Sequence, residues 1–102
     1  MSDEERATRE AEALVRPAVT DESLLLRIAE QRDPEAFAEL VRRYSLLGHR
    51  LAARTSGSTD LAEEAVQEAF LHIWQAAGGY RPRGNPRGWI LSIVINEALK
   101  QA

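Results

Sequence analysis

The amino-acid sequence predicts an all-α domain, and three observations carry that prediction. From Asp21 onward apolar residues recur three and four positions apart, the spacing that lines one face of a helix. No stretch alternates polar and apolar residues as a half-buried strand would. Asp33-Pro34 and Asn85-Pro86 each pair a capping side chain with a proline whose fixed φ and missing N–H suit the first helical position. A chain of 102 residues has room for one core. The expected architecture is a compact four-helix domain over residues 20–102, behind an acidic tail over residues 1–19.

The tail is highly charged, has no sustained apolar face and contains Pro17, so it reads as mobile or ordered by a partner. Asp21 can cap a first helix that buries Leu24, Leu25 and Ile28 and ends near Gln31 or Arg32. Asp33 and Pro34 open a second helix with Phe37, Leu40, Val41, Tyr44, Leu47 and Leu51 on one stripe. Gly48 in its middle should cost about 1 kcal/mol relative to Ala, and nothing in the sequence accounts for it. Thr55-Ser56-Gly57-Ser58 breaks the helix. A third helix starts at Asp60, where Asp60 and Glu63 have capping-box spacing, with Ser58 or Thr59 as other possible caps. Gly78-Gly79 stops it, and Asn85-Pro86 opens a fourth helix that runs to about the chain end.

Composition removes several function classes. There is no cysteine, hence no disulfide, thiolate metal site or cysteine nucleophile. His49 and His72 fall on different helices without a nucleophile or ligand partner, so catalysis is not expected, nor is a metal or cofactor. The longest apolar run, Trp89 to Ile95, is broken by Ser92 and far shorter than a bilayer span. The acidic N-terminus has no apolar signal core. A cytoplasmic protein without membrane contact is the expectation. With a net charge of −3, nucleic acid could be met only by a local basic surface.

Charge is sorted along the chain. Asp60, Glu63, Glu64 and Glu68 occupy residues 60–76 without a Lys or Arg, whereas residues 77–102 hold Arg81, Arg83, Arg87 and Lys100 against one acid, Glu97. On the third helix Ala62, Val66, Ala69, Phe70 and Ile73 form the core stripe, flanked by Ala65 and Trp74. The opposite face collects Asp60, Glu64, Gln67, Glu68, Leu71 and Gln75. A solvated acidic face is one reading. The other is a docking surface, because no basic residue offsets the carboxylates through i to i+4 pairs. A basic helix would find complementary charge there around an apolar anchor, Leu71.

The segment Tyr80-Arg81-Pro82-Arg83-Gly84-Asn85-Pro86-Arg87 mixes guanidiniums, a ring and an amide in a loop stiffened by two prolines. An ordinary turn of solvated arginines would look the same. Such a mixture also suits unpaired nucleic acid: arginines track phosphates, Tyr80 can stack on a base, and Asn85 can bond a base edge. On the fourth helix Trp89, Ser92, Asn96 and Lys100 share a strip, and nearly all the rest is apolar. That helix is buried on several sides or awaits a partner; Trp89 reads as a core anchor.

AEEAVQEAFLHIW (62–74), the proline-containing loop and NPRGWIL (85–91) together resemble region 2 of extracytoplasmic-function sigma factors. DPEAFAELVRRY (33–44) is similar to the helix that opens that domain, and the resemblance spans Asp21 to about Lys100. It implies a transcription initiation factor domain, not an enzyme. The acidic helix would bind the β′ clamp coiled coil of core RNA polymerase through Asp60, Glu64, Gln67, Glu68 and Leu71. The loop and fourth helix would melt the promoter minus-ten element and hold its non-template single strand through Tyr80, Arg81, Arg83, Asn85, Arg87, Asn96 and Lys100. An anti-sigma factor is a further implied partner.

Ile95 stands where the family usually has a basic residue, and Glu97 follows where a neutral or basic one is usual; both weaken the expected DNA surface. The family's second domain, which reads the minus-thirty-five element, has no counterpart here. The chain is then a fragment or acts without that contact. A sigma mimic or adaptor, binding a partner without reading DNA, is the alternative.

Overall fold

A computed structural model describes residues 2–15, of which 10–15 as backbone only, together with residues 19–81 and 84–101. Five α-helices are present among them: α1 (Asp3–Val15), α2 (Asp21–Gln31), α3 (Pro34–Ser56), α4 (Thr59–Ala76) and α5 (Pro86–Gln101), with a short 3-10 turn at Ala77–Gly79 between the last two. The all-α class holds, and α2 to α5 are the four helices that periodicity predicts.

The tail differs from expectation in having helical structure. Ser2 Oγ accepts the Glu5 N–H at 3.2 Å, and Asp3, Glu4 and Glu5 fill the first turn of α1, where carboxylates complement the helix dipole. The side chains of residues 2–9 are exposed.

The start of α2 needs a correction. Thr20, not Asp21, is its N-cap, accepting the Ser23 N–H at 3.1 Å. Asp21 sits one place inside, which frees its carboxylate for α3. There Oδ1 takes Arg43 Nη1 at 3.0 Å and Oδ2 takes the Tyr44 hydroxyl. Arg32 ends α2 in the left-handed conformation, φ 49°.

In α3, Asp33 caps as predicted, bonding the N–H groups of Glu35 at 2.9 Å and Ala36 at 3.3 Å. Arg27 of α2 grips the same carboxylate at 2.7 Å. The Arg27 hydrogen bond, outweighing desolvation and joined by the two backbone bonds, holds Asp33 below the usual carboxylate range. The buried line of α3 is Ala36, Leu40, Tyr44, Gly48 and Ala52, while Phe37, Val41, Leu47 and Leu51 are only half-buried.

Gly48 faces Val66 of α4 and Val94 of α5. A β-carbon there would lie 3.8 Å from both, an ordinary contact. Gly57, φ 80°, closes α3 with its N–H on the Ala53 carbonyl, a left-handed position that favours glycine.

Ser58, rather than Asp60, caps α4, through the Leu61 N–H at 3.3 Å. Asn85 caps α5 as predicted, Oδ1 accepting the Gly88 N–H at 2.9 Å. The helices α3, α4 and α5 pack on one another, and α2 lies across α3, α5 and the 3-10 turn. Leu24, Leu25, Ile28, Leu40, Ile73, Ile90 and Val94 form the fully buried centre.

Candidate partner and nucleic-acid interfaces

The core stripe of α4 faces inward as predicted, and this orientation turns Asp60, Glu64, Gln67, Glu68 and Leu71 out to solvent. Leu71 is 49% exposed. Among the described residues Asp60, Glu63, Glu64 and Glu68 have no ion-pair partner.

Leu71 is not an isolated apolar side chain. It forms one bank of a groove of about 570 Å³ between α3 and α4, with Pro34, Phe37 and Val41 on one side and Gln67, Phe70 and Trp74 on its own. Phe37 stands edge-on to Trp74 and Phe70, with ring centroids 5.2 and 6.5 Å away. Such geometry suits aromatic quadrupoles. Arg32 lies over the Trp74 ring at 4.1 Å and donates to the Trp74 carbonyl at 2.8 Å. The left-handed end of α2 thereby fixes the last aromatic wall of the groove. Sequence reasoning counted Phe37, Val41 and Phe70 as core and Trp74 as flanking it. Their i, i+4 pairing at the edges of two stripes was the available signal.

The loop surface departs further from expectation. Tyr80 is buried, 6% exposed, and so is no open stacking platform. Its hydroxyl donates to Glu22 Oε1 of α2 at 3.1 Å, and its ring meets Trp89 edge-on at 5.7 Å. Burial first, and Glu22 second, raise its pKa, which keeps the phenol a donor. Trp89 is half-buried against the core. Tyr80 and Trp89 floor a recess of about 360 Å³ whose rim carries Gly79, Arg81, Gly84 and Asn85. Arg81 is exposed, and its carbonyl accepts the Gly84 N–H at 3.1 Å.

Asn85 commits Oδ1 to the cap. Gly88 leaves room for that amide, since a β-carbon there would come within 2.7 Å of Nδ2. Arg87 is exposed, and its positive charge opposes the rise in the Tyr44 pKa that burial and Asp21 cause. Arg83 lies outside the described residues.

Asn96 is exposed on α5, about 16 Å along the helix axis from Asn85 at 1.5 Å per residue. Lys100 lies beyond it and pairs with Glu97 at 3.1 Å. The structure therefore brings Tyr80, Arg81 and Asn85 to one recess and leaves Asn96 and Lys100 apart from it. Glu97 also departs from expectation. It is buried, 8% exposed, and faces His72 Nδ1 of α4 at 3.5 Å, because it shares the inward line of Ile90, Ile93 and Val94. It is not part of an outward surface. Ile95 and Leu99 are exposed. No helix among the described residues is long and apolar enough to cross a membrane.

Residues 40–102 match the family model for Sigma-70 region 2. The chain belongs to that family. It is 33% identical over 81 residues to the ECF RNA polymerase sigma factor SigK of Mycobacterium sp. (strain KMS), covering 78% of this chain and 42% of the relative. It is 34% identical over 85 residues to SigK of Mycolicibacterium vanbaalenii, covering 81% and 43%. Against SigM of Mycobacterium tuberculosis (strain H37Rv) the identity is 37% over 67 residues, 66% of this chain and 34% of that one. These relatives bear out the likeness to extracytoplasmic-function sigma factors. The chain spans less than half the length of the curated relatives it matches. No solved structure matches it at a significant level.

Proposed function

We propose that this chain acts as a sigma-factor domain that docks on the β′ clamp coiled coil of core RNA polymerase through α4. On the same reading, its loop 80–85 and the start of α5 hold the melted non-template strand of the minus-ten element. The observation that carries the reading is Leu71, half-exposed and continuous with the aromatic groove, amid carboxylates with no internal counter-charge. A basic amphipathic helix would seat an apolar side chain in the groove and place its cations on Glu64 and Glu68.

The work is done by binding energy alone. Extruding a base costs a few kcal/mol, offset by the recess beside Tyr80 and by arginine contacts to phosphate. With Arg81 on the loop and Arg87 on α5 as the described cations, strand binding by this chain is weak and falls with salt.

A partner-binding protein without DNA reading is the second reading. The observations favouring it are Ile95 and Leu99, apolar and exposed on α5, and Lys100, held by Glu97. An anti-sigma factor is the protein partner this surface suits.

Purified core polymerase separates these readings from a merely solvated helix. Glu68→Lys and Leu71→Ala are expected to weaken its capture several-fold while leaving helicity and melting temperature unchanged. Burying the remaining half of Leu71 is worth about 1 kcal/mol. Equal capture by folded variants would remove the α4 assignment.

A further inference from the structure

We infer that Glu22, on the first turn of α2, is a positioning residue of the nucleic-acid recess: its carboxylate anchors the Tyr80 hydroxyl and so fixes the floor on which a base is read. The inference rests on the strand-binding reading above. It extends the site into a helix that lies before the family-model match, which begins at residue 40, inside α3.

Tyr80 follows the two flexible glycines of the 3-10 turn and precedes the arginine-proline loop. Its ring packs in the buried core and meets Trp89 edge-on at 5.7 Å, and its hydroxyl is bonded to Glu22 at 3.1 Å. Apolar packing limits where the ring sits, whereas the directional bond to Glu22 fixes the far end of the phenol. Glu22 is itself held beside a rigid neighbour. Thr20 caps the helix and Asp21 is clamped by Arg43 and Tyr44, so the first turn of α2 is tied to α3 and cannot drift with the loop. A recess whose floor is pinned in this way presents a preformed shape to a flat base, which is what discrimination between bases requires.

The test uses the full chain, immobilised, capturing short single-stranded DNA of random sequence, with the captured pool sequenced and its total measured. The unmodified chain is expected to enrich one base at a defined position. Glu22→Ala should lower that enrichment about fivefold, the worth of one net hydrogen bond, while total capture holds. Glu22→Gln, which keeps a carbonyl acceptor for the phenol, should retain the preference; Tyr80→Phe should behave as Glu22→Ala. Core polymerase capture should be unchanged in all three variants.

Preference surviving intact in Glu22→Ala overturns the role of Glu22 and leaves strand reading standing. Loss of preference and total capture together would reduce Glu22 to a scaffold residue and also overturn it. Absence of any preference in the unmodified chain would instead remove the strand-reading proposal, and this inference with it.

Discussion

Replacing Tyr44 by Phe isolates the polar junction between α2 and α3, and its effect is calculable. Tyr44 is 3% exposed, and its hydroxyl donates to an Asp21 carboxylate that Arg43 also holds. Burial, then Asp21, push its pKa from 10.0 up to about 12, with Arg87 pulling weakly the other way. The ionised phenol would be a buried anion against a carboxylate. A folded-state pKa above the unfolded one contributes stability that is complete below the unfolded value and is lost as pH rises through the folded value. The window therefore runs from pH 10 to about pH 12, and two pH units at 1.36 kcal/mol each give a loss of about 2–3 kcal/mol across it.

Urea unfolding of the unmodified chain and of Tyr44→Phe, followed by circular dichroism at successive pH values, measures this directly. Other groups titrate in the same range, so the readout is the difference between the two proteins. Near neutral pH, Tyr44→Phe should be less stable by about 1 kcal/mol, the net worth of one hydrogen bond. That deficit should shrink and reverse as pH passes 10, because the variant has no phenol to ionise. Parallel pH dependences, with a constant gap from neutral to strongly alkaline solution, would refute the account of a phenol kept neutral by burial and by Asp21.

Gly48→Ala should raise stability by about 1 kcal/mol, the helix-propensity difference, since the added carbon meets Val66 and Val94 at ordinary contact distance; the melting temperature reports it. At Arg32, Gly relieves the left-handed backbone that Ala does not. Arg32→Gly is therefore expected to be more stable than Arg32→Ala by about 1 kcal/mol. Both variants should loosen Trp74, seen as a shifted tryptophan emission.

Periodicity made the helices legible because core-facing positions repeat with the helical turn. The Asp33-Pro34 and Asn85-Pro86 pairs marked the caps, and periodicity set the outward face of α4. Less accessible were choices between adjacent residues of the same chemistry. Thr20 and Asp21 are both good caps, as are Ser58, Thr59 and Asp60, and only backbone geometry separates them. Least legible were bonds between distant parts of the chain. Tyr80 to Glu22 spans 58 residues and Arg32 to Trp74 spans 42, beyond any local pattern. Tyr80 therefore reads in sequence as a free ring in a basic loop, and Glu97 as an outward charge. The groove was hidden for a related reason: an aromatic at the margin of a stripe looks like core until the neighbouring helix is in place.

The span of α2 across α3, α5 and the 3-10 turn bears on how small this domain can be made. A protein trimmed to the residues the family model matches, 40–102, would start partway along α3. It would lack Phe37, the Asp33 cap and every carboxylate that holds the two phenols, and its interior would lie open where Leu24, Leu25 and Ile28 had covered it. The folding unit thus reaches back beyond residue 40 to take in α2, and insolubility of so short a piece would reflect a missing lid on the hydrophobic interior.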